Sequence, residues 1–204
     1  RTETGGTVWE RLPSDINKYT VITFIDPYKG WLVKKADGRG QVWHTADGGK
    51  NWSIISFITP TSEPFLSPIQ IEFVDETHGW LIETFSIWRT QDGGKSWVDV
   101  LSTDDSRLIG QPSQGFFLNE LKAWVCGTEG QLYSTDNGGR TWRVQTVGEG
   151  LFSDVFFVDE HTGWLCRNSN GQLYRTDDGG RSWQLQPPLS QNVYKAQTTV
   201  IGTK

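Results

Sequence analysis

Methionine is absent from this chain, cysteine occurs twice and histidine three times. Two thiols, Cys126 and Cys166, make neither a disulfide framework nor a structural zinc spacing, and both read as buried, unlinked small apolar residues. Basic charge is also short: 19 Lys and Arg against 24 Asp and Glu give a net charge of −5, which leaves no basic stripe for a nucleic-acid backbone. No apolar run approaches the roughly 18 residues needed to cross a bilayer as a helix, so the chain is not expected to span a membrane. Sustained helical periodicity, a phosphate-binding glycine loop and a serine nucleophile elbow are all missing. Nothing in the sequence calls for a cofactor or a metal. The lack of a methionine at position 1 gives the expectation that a leader has been removed or that the chain belongs to a longer protein.

Aliphatic residues are scarce too. Only 35% of the 204 residues are hydrophobic, yet 11 are Trp and 23 are Gly. A core with so few aliphatics must be built from aromatics, in small pieces joined by glycine turns, which predicts an all-β chain of short strands.

The tryptophans and glycines recur together. "TADGGKNW" (45–52) returns as "TQDGGKSW" (90–97), "TDNGGRTW" (135–142) and "TDDGGRSW" (176–183), with Trp52, Trp97, Trp142 and Trp183 at intervals of 45, 45 and 41 residues. A fifth, decayed copy, "TETGGTVW" (2–9), carries Thr4 in place of the acid. A second motif keeps the same phase: "FIDPYKGW" (24–31), "FVDETHGW" (73–80), "FLNELKAW" (117–124) and "FVDEHTGW" (157–164). Two motifs sharing one period establish a repeat of about 43 residues.

Each repeat reads as four short strands of alternating aromatic or β-branched and polar residues, bounded by Gly, Asn and Asp. Four antiparallel strands per repeat predict a β-propeller of four-stranded blades, covering about 19–57, 68–101, 113–147 and 151–187. Partial strands are expected at 5–12 and 192–203. The count is then four complete blades and two partial ones, within one propeller domain or segment over 1–204. A six- or seven-bladed ring of which this is a segment, and a five-bladed ring, both fit.

The box residues carry a structural expectation. Gly49, Gly94, Gly139 and Gly180 supply positive φ in the turn between third and fourth strands. Asp47, Asp92, Asn137 and Asp178 accept hydrogen bonds from the turn's own N–H groups, and Thr45, Thr90, Thr135 and Thr176 add a hydroxyl. The box tryptophan then packs between sheets. One carboxylate per blade, displaced around a ring, does not converge on a substrate.

This pattern, S/T-x-D-x-G-x-x-W, resembles the Asp-box, or bacterial neuraminidase repeat, of sialidases, sortilin-type receptors and some glycanases. With "F-x-D-x-x-x-G-W" upstream and the "DGGK-x-W" spelling, the chain most resembles the photosystem II assembly and stability factor family and its bacterial relatives, over about residues 1–187. The resemblance implies a non-catalytic propeller that binds another protein, a membrane-protein complex included, in an extracytoplasmic compartment.

Binding residues are sought on the face where second strands join third strands and one blade joins the next, since long loops on a rigid scaffold often carry function. The candidates are Lys34, Lys35, Arg39, Arg107 and Arg167 as a positive patch, and Glu129 as a loop carboxylate; solvated loop charge is the plainer reading of the same residues. A carbohydrate-active propeller, lectin or glycoside hydrolase, is the alternative function, with Glu63, Asp104, Asp105 and Glu129 in suitable loops. His44, His78 and His161 are isolated, and the last two belong to turns.

Overall fold

The computed structural model describes residues 2, 4–10, 20–59, 67–102, 110–167 and 171–187. Among the described residues sixteen strands form four antiparallel sheets, each of four consecutive strands in chain order. Blade 1 holds β1 (Thr20–Phe24), β2 (Gly30–Ala36), β3 (Arg39–Thr45) and β4 (Ser53–Ile58). Blade 2 holds β5 (Pro68–Phe73), β6 (Gly79–Glu83), β7 (Ser86–Thr90) and β8 (Val98–Ser102). Blade 3 holds β9 (Pro112–Phe117), β10 (Ala123–Gly127), β11 (Gln131–Thr135) and β12 (Arg143–Thr146); blade 4 holds β13 (Phe152–Phe157), β14 (Gly163–Arg167), β15 (Leu173–Thr176) and β16 (Gln184–Leu185). The first strands of successive sheets lie side by side, β1 by β5, β5 by β9 and β9 by β13, which is propeller geometry.

Residues 4–10 form turns and no strand is assigned to them. The described part of the expected N-terminal partial strand therefore has no ladder, while 192–203 lies outside the described residues. The decayed box nonetheless keeps its knot. Thr2 Oγ1 accepts from Gly6 N at 3.0 Å and Thr4 Oγ1 accepts from Val8 N at 2.8 Å, so the Thr4 hydroxyl fills the acceptor role of the missing acid.

Three apolar clusters fill the three spaces between sheets. Alternate residues of a strand point to opposite faces, so an inner blade sends Trp80 and Ile82 toward the following blade and Leu81 toward the preceding one. That is why β6 and β10 are buried at every position although their sheets are antiparallel.

Each interface has the same aromatic plan. The Trp of a second strand lies over the Phe of the next blade's first strand: Trp31 on Phe73 at 3.9 Å, Trp80 on Phe117 at 5.3 Å and Trp124 on Phe157 at 3.7 Å between ring centroids. The box Trp meets the same group edge-on, as Trp97 meets Phe73 and Trp183 meets Phe157. The glycine before each second-strand Trp makes room for the ring, since a Cβ on Gly79 or Gly163 would come within 2.8 or 2.6 Å of Phe73 or Phe157. Blade 3 has Ala123 at this position, and its Phe117 sits farther from the Trp than the other two. The extra methyl occupies the space the ring takes elsewhere.

The two cysteines are unlinked. Cys126 is fully buried, and desolvation pushes its thiol up to about 12. Cys166 is only half-buried, while Cys126 lies under the Phe152 strand of the next blade.

Candidate functional site

The strand order gives the propeller two faces. The β1–β2 and β3–β4 turns of every blade share one, and the β2–β3 connections with the links between blades share the other.

On the first face the box acids are occupied by their own turns. Thr45 Oγ1 donates to Asp47 Oδ1 at 2.8 Å and accepts from Gly49 N at 3.0 Å, while Asp47 also accepts from Asn51 N at 2.9 Å and Asn51 Nδ2 at 2.8 Å. Asp92 repeats this with Thr90, Ser96 N and Ser96 Oγ; Asp178 repeats it with Thr176, Ser182 N and Ser182 Oγ. Both glycines of each box have positive φ, as at Gly48 (73°) and Gly49 (83°). In blade 3 Asn137 still accepts from Thr141 N at 3.0 Å, and its Nδ2 donates to the Thr141 hydroxyl at 2.7 Å, reversing one bond and keeping the turn.

These bonds favour ionised carboxylates. The Asn51 amide, then the Asn51 side chain and the Thr45 hydroxyl, bring Asp47 down to about 2. The Ser182 hydroxyl and amide hold Asp178 well below the usual range. At Asp92 burial pushes upward, and the Ser96 and Thr90 hydrogen bonds outweigh it to leave the group lowered.

The acid of the second motif forms a turn of its own. Asp26 Oδ1 accepts from the N–H groups of Tyr28 and Lys29, both at 2.7 Å, and Asp75, Asn119 and Asp159 do the same in their blades. His78 is held by its own Asp75, Nδ1 to Oδ2 at 2.8 Å. The two turns of each blade are then tied together: Gly48 N donates to Tyr28 O, Gly93 N to Thr77 O, Gly138 N to Leu121 O and Gly179 N to His161 O, all at 2.8–2.9 Å. Lys29–Glu76 and Lys122–Glu160 ion pairs join blades 1 and 2 and blades 3 and 4 on this face. Between blades 3 and 4 lies a cleft of about 450 Å³, with Lys122, Arg143, Arg181 and Glu160 around the edges of Trp124 and Trp142.

One interface departs from the plan in a way the sequence did not reveal. Trp31 Nε1 donates across to Gly93 O at 2.9 Å, and Trp124 Nε1 to Gly179 O at 3.0 Å. The equivalent acceptor for Trp80 is Gly138 O, but Arg89 Nη1 takes it at 2.9 Å, and Arg89 Nη2 takes Glu120 O at 2.9 Å. The guanidinium carbon lies 5.5 Å from the Trp80 ring centroid, and Trp80 Nε1 is buried with no hydrogen-bond partner among the described residues. The only hint was the Arg itself, standing where blade 1 has His44 and blade 3 has Ser134.

On the second face, Lys34 and Lys35 end β2 and Arg39 begins β3. The intervening Asp37 and Gly38 have φ of 51° and 73°, a two-residue hairpin turn. The two lysines point to opposite sides of the sheet; Lys34 Nζ lies 5.0 Å from the Trp43 ring centroid, a cation–π contact. Glu129 is exposed in a 3-10 turn (Thr128–Gly130) with φ of 59°. Arg167 ends β14, its Nη1 donating to Gln172 Oε1 at 3.0 Å. Glu129 and Arg167 flank one segment, the link 147–150 between blades 3 and 4: Gly130 N donates to Gly150 O at 2.6 Å, and the Arg167 guanidinium lies beside Gly150. Lys34, Lys35 and Arg39 belong to blade 1, and no ion pair joins them to Glu129 among the described residues. Arg107, like Glu63, Asp104 and Asp105, lies outside the described residues. Glu83, not singled out in the sequence, is buried on this face and accepts from Ser67 N, Phe85 N and the Ser86 hydroxyl. No group of three or more His, Cys, Asp or Glu side chains suited to a metal gathers among the described residues, and no described helix is long and apolar enough to cross a membrane.

Comparison with known proteins agrees with this architecture. No curated protein sequence matches the chain. Among solved structures it is similar to YCF48 from Cyanidioschyzon merolae (TM-score 0.65, 20% identity, 90% of this chain and 60% of that one). It is also similar to the GH74 enzyme of Niastella koreensis (TM-score 0.59, 15% identity, 78% of this chain and 28% of that one) and to the computationally designed Ika4 protein (TM-score 0.58, 12% identity, 82% and 97%). The chain thus spans 60% of the length of that YCF48 structure, and likenesses at these identities show the fold alone. The family model described as photosynthesis system II assembly factor YCF48 matches residues 2–150, and the chain belongs to that family.

Proposed function

We propose that this chain is a non-catalytic propeller that binds another protein and serves the assembly of a membrane-associated complex in an extracytoplasmic compartment. Membership in an assembly-factor family over residues 2–150 is the observation that carries the reading. The site geometry supports binding over catalysis. The repeated carboxylates that a catalytic reading would use are each committed to three or four hydrogen bonds inside one turn. On the opposite face, Lys34, Lys35, Arg39 and Arg167 favour an acidic or carboxylate-bearing peptide segment. The family resemblance is what supports the compartment in this reading.

The test is capture of solubilised membrane proteins by the immobilised full chain. A retained protein that is lost when Arg39, Arg107 and Arg167 become Glu, with the circular dichroism spectrum unchanged, is the expected result. Equal retention by that variant, or no retained protein at all, would overturn the reading.

A further inference from the structure

Three departures of blade 3 from the repeat meet at the cleft between blades 3 and 4, whose walls are two complete sheets. The first is Ser134. In the two preceding blades the residue before the box Thr covers the second-strand indole: the His44 ring lies 5.0 Å from the Trp31 ring, and the Arg89 guanidinium carbon 5.5 Å from that of Trp80. Ser134 is too short to cover Trp124 in this way, and the two residues line a space of about 450 Å³. That volume is in the range of small-molecule sites.

The second departure is Asn137. Ser96 and Ser182 spend their hydroxyl protons on the box carboxylates Asp92 and Asp178, whereas the Thr141 hydroxyl accepts from Asn137 Nδ2 at 2.7 Å. The Thr141 proton is thereby left for another acceptor, at the wall of the cleft. The third is Arg143, where blades 1 and 2 have Ser53 and Val98. Its Nε donates to Ser134 Oγ at 3.3 Å and its Nη2 to Gly180 O at 2.8 Å, which sets the guanidinium between the two blades. Donors then outnumber acceptors. Arg143, Arg181 and the Ser134 and Thr141 hydroxyls all hold protons that no hydrogen bond among the described residues uses. Of the three carboxylates at the cleft, Glu160 is paired with Lys122 and Asp178 is committed to Thr176 and Ser182, which leaves Asp136, exposed to solvent.

We propose that this cleft binds a small organic anion, a carboxylate or phosphate compound, with Arg143 and Arg181 pairing with its charge and the Ser134 and Thr141 hydroxyls donating to its oxygens. The site lies on the face opposite Lys34, Lys35, Arg39 and Arg167, so it is separate from the surface proposed for a peptide.

Isothermal titration calorimetry of the full chain with glucose 6-phosphate, citrate and glucose tests it. Millimolar or tighter binding of at least one anion, weakened by added salt, is expected, with none of glucose. Which anion binds tells phosphate from carboxylate recognition. Arg143→Gln and Arg181→Gln, both at exposed positions, should each weaken the anion by about 10-fold or more with an unchanged circular dichroism spectrum. Ser134→His refills the space as His44 does in blade 1 and should abolish binding, while Asp136→Asn, which removes the one uncommitted carboxylate, should tighten it. No binding of either anion, equal binding of glucose, or an affinity unchanged in both arginine variants and in Ser134→His would each overturn the proposal.

Discussion

Trimming each interfacial indole to phenylalanine separates packing from hydrogen bonding. Trp31, Trp80 and Trp124 are equivalent, all at most 4% exposed, and each loses the same ring volume on becoming Phe. That loss costs about 1–2 kcal/mol of contact and cavity free energy at each site. The polar part differs. Trp31→Phe and Trp124→Phe also delete an N–H bonded to Gly93 O or Gly179 O, which adds about 1–2 kcal/mol. Trp80→Phe deletes an N–H that has no hydrogen-bond partner among the described residues, so it gains back part of a desolvation cost. Urea denaturation followed by far-ultraviolet circular dichroism, which does not depend on tryptophan emission, reads the difference. At a slope of about 2 kcal/mol per molar urea, the midpoints of Trp31→Phe and Trp124→Phe should fall about 0.5–1 M below that of Trp80→Phe. A Trp80→Phe midpoint at or below the other two would refute the account of Arg89 as the group that has taken this interface's acceptor.

Gly79→Ala drives a methyl into the Phe73 ring and should destabilise by about 1–3 kcal/mol, read as a lowered urea midpoint. The reverse change, Ala123→Gly, should let Phe117 approach Trp80 toward the spacing of the other two stacks, which a crystal structure of the variant would record. Asp92→Ala removes the acceptor for Thr90, Ser96 N and Ser96 Oγ and should cost about 2 kcal/mol, whereas Asn137→Asp should stay within about 1 kcal/mol of the parent, because Thr141 can turn its hydroxyl to donate as Ser96 does. Asp47, Asp92 and Asp178 have folded pKa values below their unfolded ones, so their contribution is present above about pH 4 and is lost as pH falls through the folded values, about 2 for Asp47. Urea midpoints measured from neutral pH downward should therefore decline below about pH 4.

The turns were legible because their chemistry is local. Thr, Asp, Gly-Gly and Trp at fixed spacing specify a hydrogen-bonded reversal without reference to the rest of the chain, and even "TETGGTVW" keeps the knot through Thr2 and Thr4. Four short strands per repeat followed from period-two alternation, and the four sheets from the shared phase of two motifs. The inter-blade chemistry was not legible. That Arg89 reaches Gly138 O, or that Ala123 holds Phe117 away from Trp80, depends on which carbonyl of the next blade faces which side chain, a cross-sheet relation that one repeat does not encode. The same limit applies to the candidate patch: Lys34 and Lys35 are neighbours in sequence and point to opposite sides of a strand, while Glu129 and Arg167, far apart in sequence, border one link. Both cysteines read as buried from the general tendency of free Cys, and the structure buries Cys126 and leaves Cys166 half-buried.

The claim that the repeated acids serve their own turns is tested most directly by titrating carboxyl carbon signals of Asp47, Asp92 and Asp178 by nuclear magnetic resonance. All three should titrate below the ordinary aspartate value, Asp47 at about 2. Midpoints at or above the ordinary value, about 3.9, would mean that the turn amides and hydroxyls do not hold these carboxylates, and would contradict the account.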